Sequence, residues 1–204
     1  FGQDLLAVPP LPLRVRATET MAPCAASAAR AYALAGGPQA LVETGALEAA
    51  ADVLVGSGIE LTRALESGAG RDDSDVAVVE VPWVLVLSER APSVKSLEEA
   101  AAAGVEIEVL KGPISHEAQR VLAEKTKAHV REQDVSSLRK AEAALVPVSV
   151  AGPGRRITVD VPALRAQAAV GSGSRAEAAA RAFVAFLASE AGRRSFASCT
   201  EPAP

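Results

Sequence analysis

The sequence predicts an α/β fold of two lobes joined by a hinge of two crossing strands. Three observations carry this. Short apolar runs alternate with helical segments, the alternation is interrupted once and then restarts, and strand-like stretches near residues 83–87 and 157–161 bracket the interruption. Alternating strands and helices build βαβ units and a mainly parallel sheet. A single insertion then divides the chain into an outer lobe made from both ends, residues 13–84 and 157–204, and an inserted lobe, residues 85–156. A chain of 204 residues is long enough to bury both cores.

After a Pro-rich lead-in, Val8-Pro9-Pro10-Leu11-Pro12, the segment Leu13–Ala17 alternates apolar and basic side chains at the period of a strand. A helix follows. Thr20 suits its N-cap, Pro23 falls in its first turn, and Gly36-Gly37 stops it. Leu41-Val42 reads as a short strand, Ala46–Ala50 as a helical turn, and Ala51–Val55 as a buried strand closed by Gly56-Ser57-Gly58. Ile59–Glu66 is a helix and Gly68–Asp75 a polar loop. The run from Val76 to Leu87, broken at Pro82, is long enough to leave one lobe and enter the next.

A linker, Ser88–Ser93, precedes a helix opened by the capping-box pair Ser96 and Glu99. The strand-helix pattern restarts with Val105–Leu110, the loop Lys111-Gly112-Pro113, and a helix from Ser115 to a helix-end His129. Ser136–Ala143 reads as a short helix, and Ala144–Val148 and Ile157–Val161 as strands. Ala166–Val170 makes one more, before a terminal helix from Arg175 to Leu187 with Phe183, Phe186 and Leu187 on one stripe.

Composition excludes several classes of function. The formal net charge of -4 supplies no basic field for phosphate backbones, so no nucleic-acid partner is expected. No apolar run approaches the roughly 20 residues that cross a bilayer. The start at Phe1, with no initiator Met, is what an exported chain shows once its signal is removed, so a periplasmic or other extracytoplasmic location is the expectation. There is no His pair at metal-ligand spacing, no Gly-rich P-loop and no G-x-S-x-G elbow, so neither an enzyme nor a cofactor is expected. Cys24 and Cys199 lack the close spacing of a zinc or redox site, which leaves one long-range disulfide or two unreactive thiols. With helix one and the terminal segment both in the outer lobe, the two should come within disulfide reach.

The order of segments resembles the periplasmic molybdate-binding proteins, within the type 2 solute-binding proteins of ABC importers, over almost the whole chain. Thr18-Glu19-Thr20-Met21 stands where that family has its first small-residue and hydroxyl loop, and Glu43-Thr44-Gly45-Ala46-Leu47 where it has its second. Ala51–Val55 is similar to its Ala-Asp-Val strand, Trp83–Leu87 to its hinge strand, and Phe183–Arg193 to its terminal helix and closing motif. The resemblance implies a two-lobed, type 2 periplasmic-binding-protein-like architecture. It also implies a monomer that captures a small ligand, a molybdate- or tungstate-like oxyanion in the family, and delivers it to a membrane permease.

Carried onto this sequence, the resemblance assigns ligand hydroxyls to Thr20 and Thr44, with the Met21 and Gly45 backbone N–H groups beside them. An oxyanion accepts hydrogen bonds only, and N–H groups near a helix N-terminus suit it. Thr20 also reads as an ordinary N-cap and Thr44-Gly45 as an ordinary turn. In the inserted lobe, Ser115 and His116 match the family's second-lobe loop. Pro147 replaces a tyrosine of the family, leaving Ser149 as the nearby hydroxyl. Glu19 and Glu43 stand where the family has small or hydroxyl residues. Desolvated, their charges would disfavour a dianion by several kcal/mol and favour a cationic or polar organic solute; in solvent they would cost little. The remaining alternative is an effector-sensing domain of a regulator, which shares this architecture.

Overall fold

The structure, a computed structural model, describes residues 11–128 and 130–200. His129 and most of the Pro-rich lead-in lie outside these residues. The first strand, β1, spans Leu13–Ala17, followed by α1 (Ala22–Leu34), β2 (Ala40–Thr44), β3 (Val53–Ser57), α2 (Gly58–Glu66) and β4 (Val76–Val81). Then come β5 (Trp83–Leu87), α3 (Leu97–Ala102), β6 (Ile107–Leu110), α4 (Pro113–Lys125), β7 (Val130–Gln133), α5 (Val135–Leu138), β8 (Ala143–Pro147) and β9 (Arg155–Thr158). The chain closes with β10 (Leu164–Val170), α6 (Glu177–Ala188) and α7 (Glu190–Ala197).

The strands form two five-stranded sheets, ordered β2-β1-β3-β10-β4 and β7-β6-β8-β5-β9. In the first, β2, β1 and β3 are parallel and β10 runs antiparallel to both β3 and β4. The second repeats the plan: β7, β6 and β8 are parallel, and β5 is antiparallel to β8 and β9. The sheets are therefore mixed, where a mainly parallel one was expected. The strand that enters each lobe from the other inserts against the grain, and strand direction leaves no trace in side-chain periodicity.

The chain passes between sheets twice. At Pro82 it leaves β4 and becomes β5 with no loop between, because proline lacks the N–H that a continuous ladder would use. It returns through residues 159–163, between β9 and β10. The stretch from Ile157, expected to be a crossing strand, thus begins inside the second sheet, where Ile157 pairs with Leu85.

Other expectations shift for local reasons. Thr20 does not cap α1: the cap position is Met21, with no side-chain bond, and the Thr20 hydroxyl meets Thr18 instead. Residues 46–50 form turns and no helix, with Leu47 buried beneath them. The expected helix at Ser136–Ala143 is the single turn α5, and Ala143 already belongs to β8. The terminal helix expected from Arg175 to Leu187 is α6, and a further helix, α7, follows it, capped by Ser189, whose hydroxyl accepts the Gly192 N–H at 3.1 Å.

One apolar cluster runs through both lobes, and a smaller one around Leu47, Leu54, Leu61 and Ala169 seats α2 on the first sheet. In the outer lobe Tyr32 lies between Phe183 and Phe186, with ring centroids 5.0 and 5.1 Å away. Buried Asp52 accepts the Arg14 N–H at 2.8 Å and the Ser174 hydroxyl at 2.9 Å, tying β1 to the returning chain. Cys24 of α1 and Cys199 are joined in a disulfide, with Cα atoms 4.9 Å apart.

Candidate functional site

β1, β2 and β3 run parallel, so the segments that leave their carboxyl ends gather at one end of the first sheet, where ligands bind in open α/β sheets. Residues 18–21 leave β1, residues 45–48 leave β2, and α2 starts directly after β3. Together they make one wall of a cleft whose other wall is the inserted lobe. On one side of the cleft, a space of about 450 Å3 is bounded by Thr18, Glu19, Thr20, Glu60 and Arg63, and across from them by Lys111 and Ile114. On the other, a space of about 440 Å3 is bounded by Glu19, Pro23 and Thr44, and across from them by Val135, Arg139 and Ser149. Glu19 borders both spaces, so they adjoin. Each is of the size that small-molecule sites use.

The lobes touch at the back of the cleft. Ser149, in a 3-10 turn at Val148–Val150, donates its hydroxyl to the Thr20 carbonyl at 2.6 Å. Both residues are buried, at 8% and 1% exposure. A bond between buried groups of different lobes holds the hinge region in register, and its loss would leave a buried carbonyl without a partner.

Thr20, Thr44, Gly45, Ser149 and Glu19 all border the cleft. Most of the donors among them are already engaged. The Met21 N–H donates to the Thr18 carbonyl and the Gly45 N–H to the Ala17 carbonyl, both at 3.0 Å, so neither is open to a ligand. The Met21 side chain is fully buried. Glu43 faces away from both spaces and pairs with Arg16 at 3.0 Å. Ser115, in the first turn of α4, is buried and His116 is exposed, and neither borders the cleft; their neighbours Lys111, Pro113 and Ile114 do.

Sequence reasoning missed Glu60. Its Oε2 accepts three hydrogen bonds, from the Ser57 N–H at 2.9 Å, the Ser57 hydroxyl at 2.8 Å and the Thr18 hydroxyl at 3.0 Å. The signal was available: Ser57 and Glu60 have the Ser-x-x-Glu spacing of a capping box, directly after a buried strand. Arg63, one turn further along α2, also went unnoticed. Among the described residues, Glu19, Glu48, Glu60, Arg63, Lys111 and Arg139 enter no ion pair, although all border the cleft. Among the described residues no group of side chains could hold a metal ion, and no helix is long and apolar enough to cross a membrane.

No protein-family profile matches the sequence, and no curated protein does. Solved structures match closely in shape. The Azotobacter vinelandii periplasmic molybdate-binding protein aligns with a TM-score of 0.74 at 14% identity, covering 94% of this chain and 99% of that one. The sulfate-binding protein SubI from Mycobacterium tuberculosis aligns at 0.72 and 15% identity, covering 93% and 86%. Iron-bound HitA from Pseudomonas aeruginosa aligns at 0.63 and 15%, covering 93% and 84%. The chain thus has the two-lobed fold of the type 2 periplasmic solute-binding proteins. The names of these three carry two oxyanions and a metal ion, so the shared fold does not choose a ligand.

Proposed function

We propose that this chain is an extracytoplasmic solute-binding protein that captures a small ligand between its lobes and presents it to the membrane permease of an ABC importer. The observation that carries the reading is the cleft itself: a space between two separately built sheets, crossed at two points, bordered by charged side chains that enter no ion pair among the described residues. Unpaired charges facing each other across a hinge are groups that a ligand can satisfy only when the lobes close. Among the described residues no hydroxyl or thiol is hydrogen-bonded to a histidine, the pairing that activates such nucleophiles. The lobes are taken as the units that carry one sheet each, residues 13–81 with 164–200 and residues 83–158, a little wider for the inserted lobe than the expected 85–156, and the working form as a monomer.

A molybdate- or tungstate-like oxyanion, the ligand expected from the sequence resemblance, is favoured by Lys111, Arg63 and Arg139, which suit an anionic group. A cationic or polar organic solute is favoured by Glu19, which borders both spaces. Thermal-shift screening against molybdate, tungstate, sulfate, phosphate, amines and amino acids tests capture directly, because a ligand that binds only the folded state raises the melting temperature. At a hundredfold excess over Kd the gain is about 2.7 kcal/mol. A panel without any shift would remove the support for capture.

A further inference from the structure

The protons around Glu60 can be counted. A carboxylate only accepts, so the single hydroxyl proton of Thr18 is committed to Glu60 Oε2. The 3.1 Å contact between the Thr18 and Thr20 hydroxyls must then be filled by the proton of Thr20. The Ser57 hydroxyl proton also goes to Glu60, and that of Ser149 to the Thr20 carbonyl. The chain from Thr20 through Thr18 to Glu60 therefore points its protons inward. The acceptors left for a solute are the second carboxylate oxygen of Glu60, lone pairs on the Thr20 hydroxyl, and the carboxylates of Glu19 and Glu48. Arg63, one turn along α2 from Glu60, is the one cationic side chain among the described residues of the outer-lobe wall.

The opposite wall has the opposite character. The inserted lobe contributes Lys111 to one space and Arg139 to the other, and no acidic residue to either. A lone oxyanion would lie near three outer-lobe carboxylates, Glu19, Glu48 and Glu60, with Thr44 the one predicted hydroxyl at the cleft not already committed. Resting on the capture reading, we infer that the cleft takes a small zwitterion. Its protonated amine donates to Glu60, Thr20 and Glu19 on the outer lobe, and its anionic end reaches Lys111 on the inserted lobe. Such a ligand meets the acidic cluster of Glu19, Glu48 and Glu60 with its amine and the basic pair of Lys111 and Arg63 with its anionic end, and draws the lobes together through its own length.

The test is calorimetric titration of the intact chain with single amino acids, γ-aminobutyrate, putrescine, molybdate and sulfate. At least one zwitterion should bind while molybdate and sulfate do not. Glu60→Gln should weaken that zwitterion at least tenfold, since glutamine keeps the shape and still accepts the Ser57 N–H but removes the charge. Lys111→Met should weaken it comparably. Glu19→Gln alters an exposed side chain, so its smaller expected loss, about threefold, reads the same interaction even where Glu60→Gln fails to fold. Molybdate or sulfate binding as tightly as any amine would overturn the zwitterion and leave capture standing, as would putrescine binding with the amino acids inert. Heat from no probe would overturn both.

Discussion

The two lobes share one sheet plan and are secured differently. Each has three parallel strands, then an antiparallel strand, then an edge. The outer lobe adds a disulfide, the Asp52 hydrogen bonds and a trio of aromatic rings. The inserted lobe has no cysteine, and the one aromatic side chain on its sheet is Trp83, at the start of β5. Its edge strand β7 is largely exposed, α5 is a single turn, and the ion pairs of Arg120 with Glu117 and Glu124 lie on its surface. The contrast teaches that the plan needs little reinforcement to fold, and that the reinforcement is concentrated in the lobe that carries Glu60 and Thr20. On the capture reading, the braced outer wall is the one that holds that hydroxyl chain aligned as the lobes close on a ligand.

The largest expected effect breaks that asymmetry. Replacing Cys24 and Cys199 together by serine should cost about 4 kcal/mol and lower the melting temperature by about 10 °C, because the bridge closes a very long loop in the unfolded chain. Differential scanning calorimetry decides how the loss is distributed. If the inserted lobe's transition stays where it was, the lobes are separately secured; if everything shifts together, they melt as one unit and the comparison fails. Gly192→Ala comes next. A Cβ there would lie 1.9 Å from the Phe186 carbonyl oxygen and 2.6 Å from its carbon, so α6 and α7 must separate, at about 3 kcal/mol, measurable by urea denaturation.

In the inserted lobe, Ser96→Ala removes the hydroxyl that accepts the Glu99 N–H at 3.1 Å and should cost about 1 kcal/mol. Hydrogen exchange would place the effect in α3 and leave α1 unchanged. The smallest effect concerns alkaline pH. Burial raises the Tyr32 phenol above its ordinary value, because the phenolate is the form that loses hydration. The folded chain then holds this proton more tightly than the unfolded chain, so the contribution is intact below about pH 10 and is lost as pH rises from there through the folded-state value. Urea midpoints at pH 9 and 10.5 should fall further for the wild type than for Tyr32→Phe. With Tyr32 the chain's one tyrosine, an equal fall in both would place the alkaline sensitivity elsewhere.

Much of the fold was legible because buried strands announce themselves. Val53–Val55, Trp83–Leu87 and Ala143–Pro147 are apolar throughout, and Pro82 marks the passage between sheets. The edge strand β7 was not legible: Val130-Arg131-Glu132-Gln133 is largely exposed and carries no apolar alternation that would mark a strand. Ala46–Ala50 misled because alanine favours helices, while Leu47 is buried in a cluster with Leu54, Leu61 and Ala169, the last from β10, distant in sequence. The site was half legible. The loop positions of Thr20 and Thr44 follow from strand ends, but the direction of the Thr20 proton depends on Glu60, 40 residues away, and only assembled coordinates bring the two within one hydrogen-bond chain.

The Cys24–Cys199 bridge has a mechanical consequence. With a sequence separation of 175, it makes a covalent ring that contains the whole inserted lobe, both passages between sheets, and every cleft residue except Glu19, Thr20 and their immediate neighbours. Tension applied to the segments outside the ring is carried across the sulfur bridge from α1 to the chain just beyond α7, and bypasses the hinge. Both passages between sheets are off the load path, and of the cleft wall only residues 18–23, which precede Cys24, lie on it.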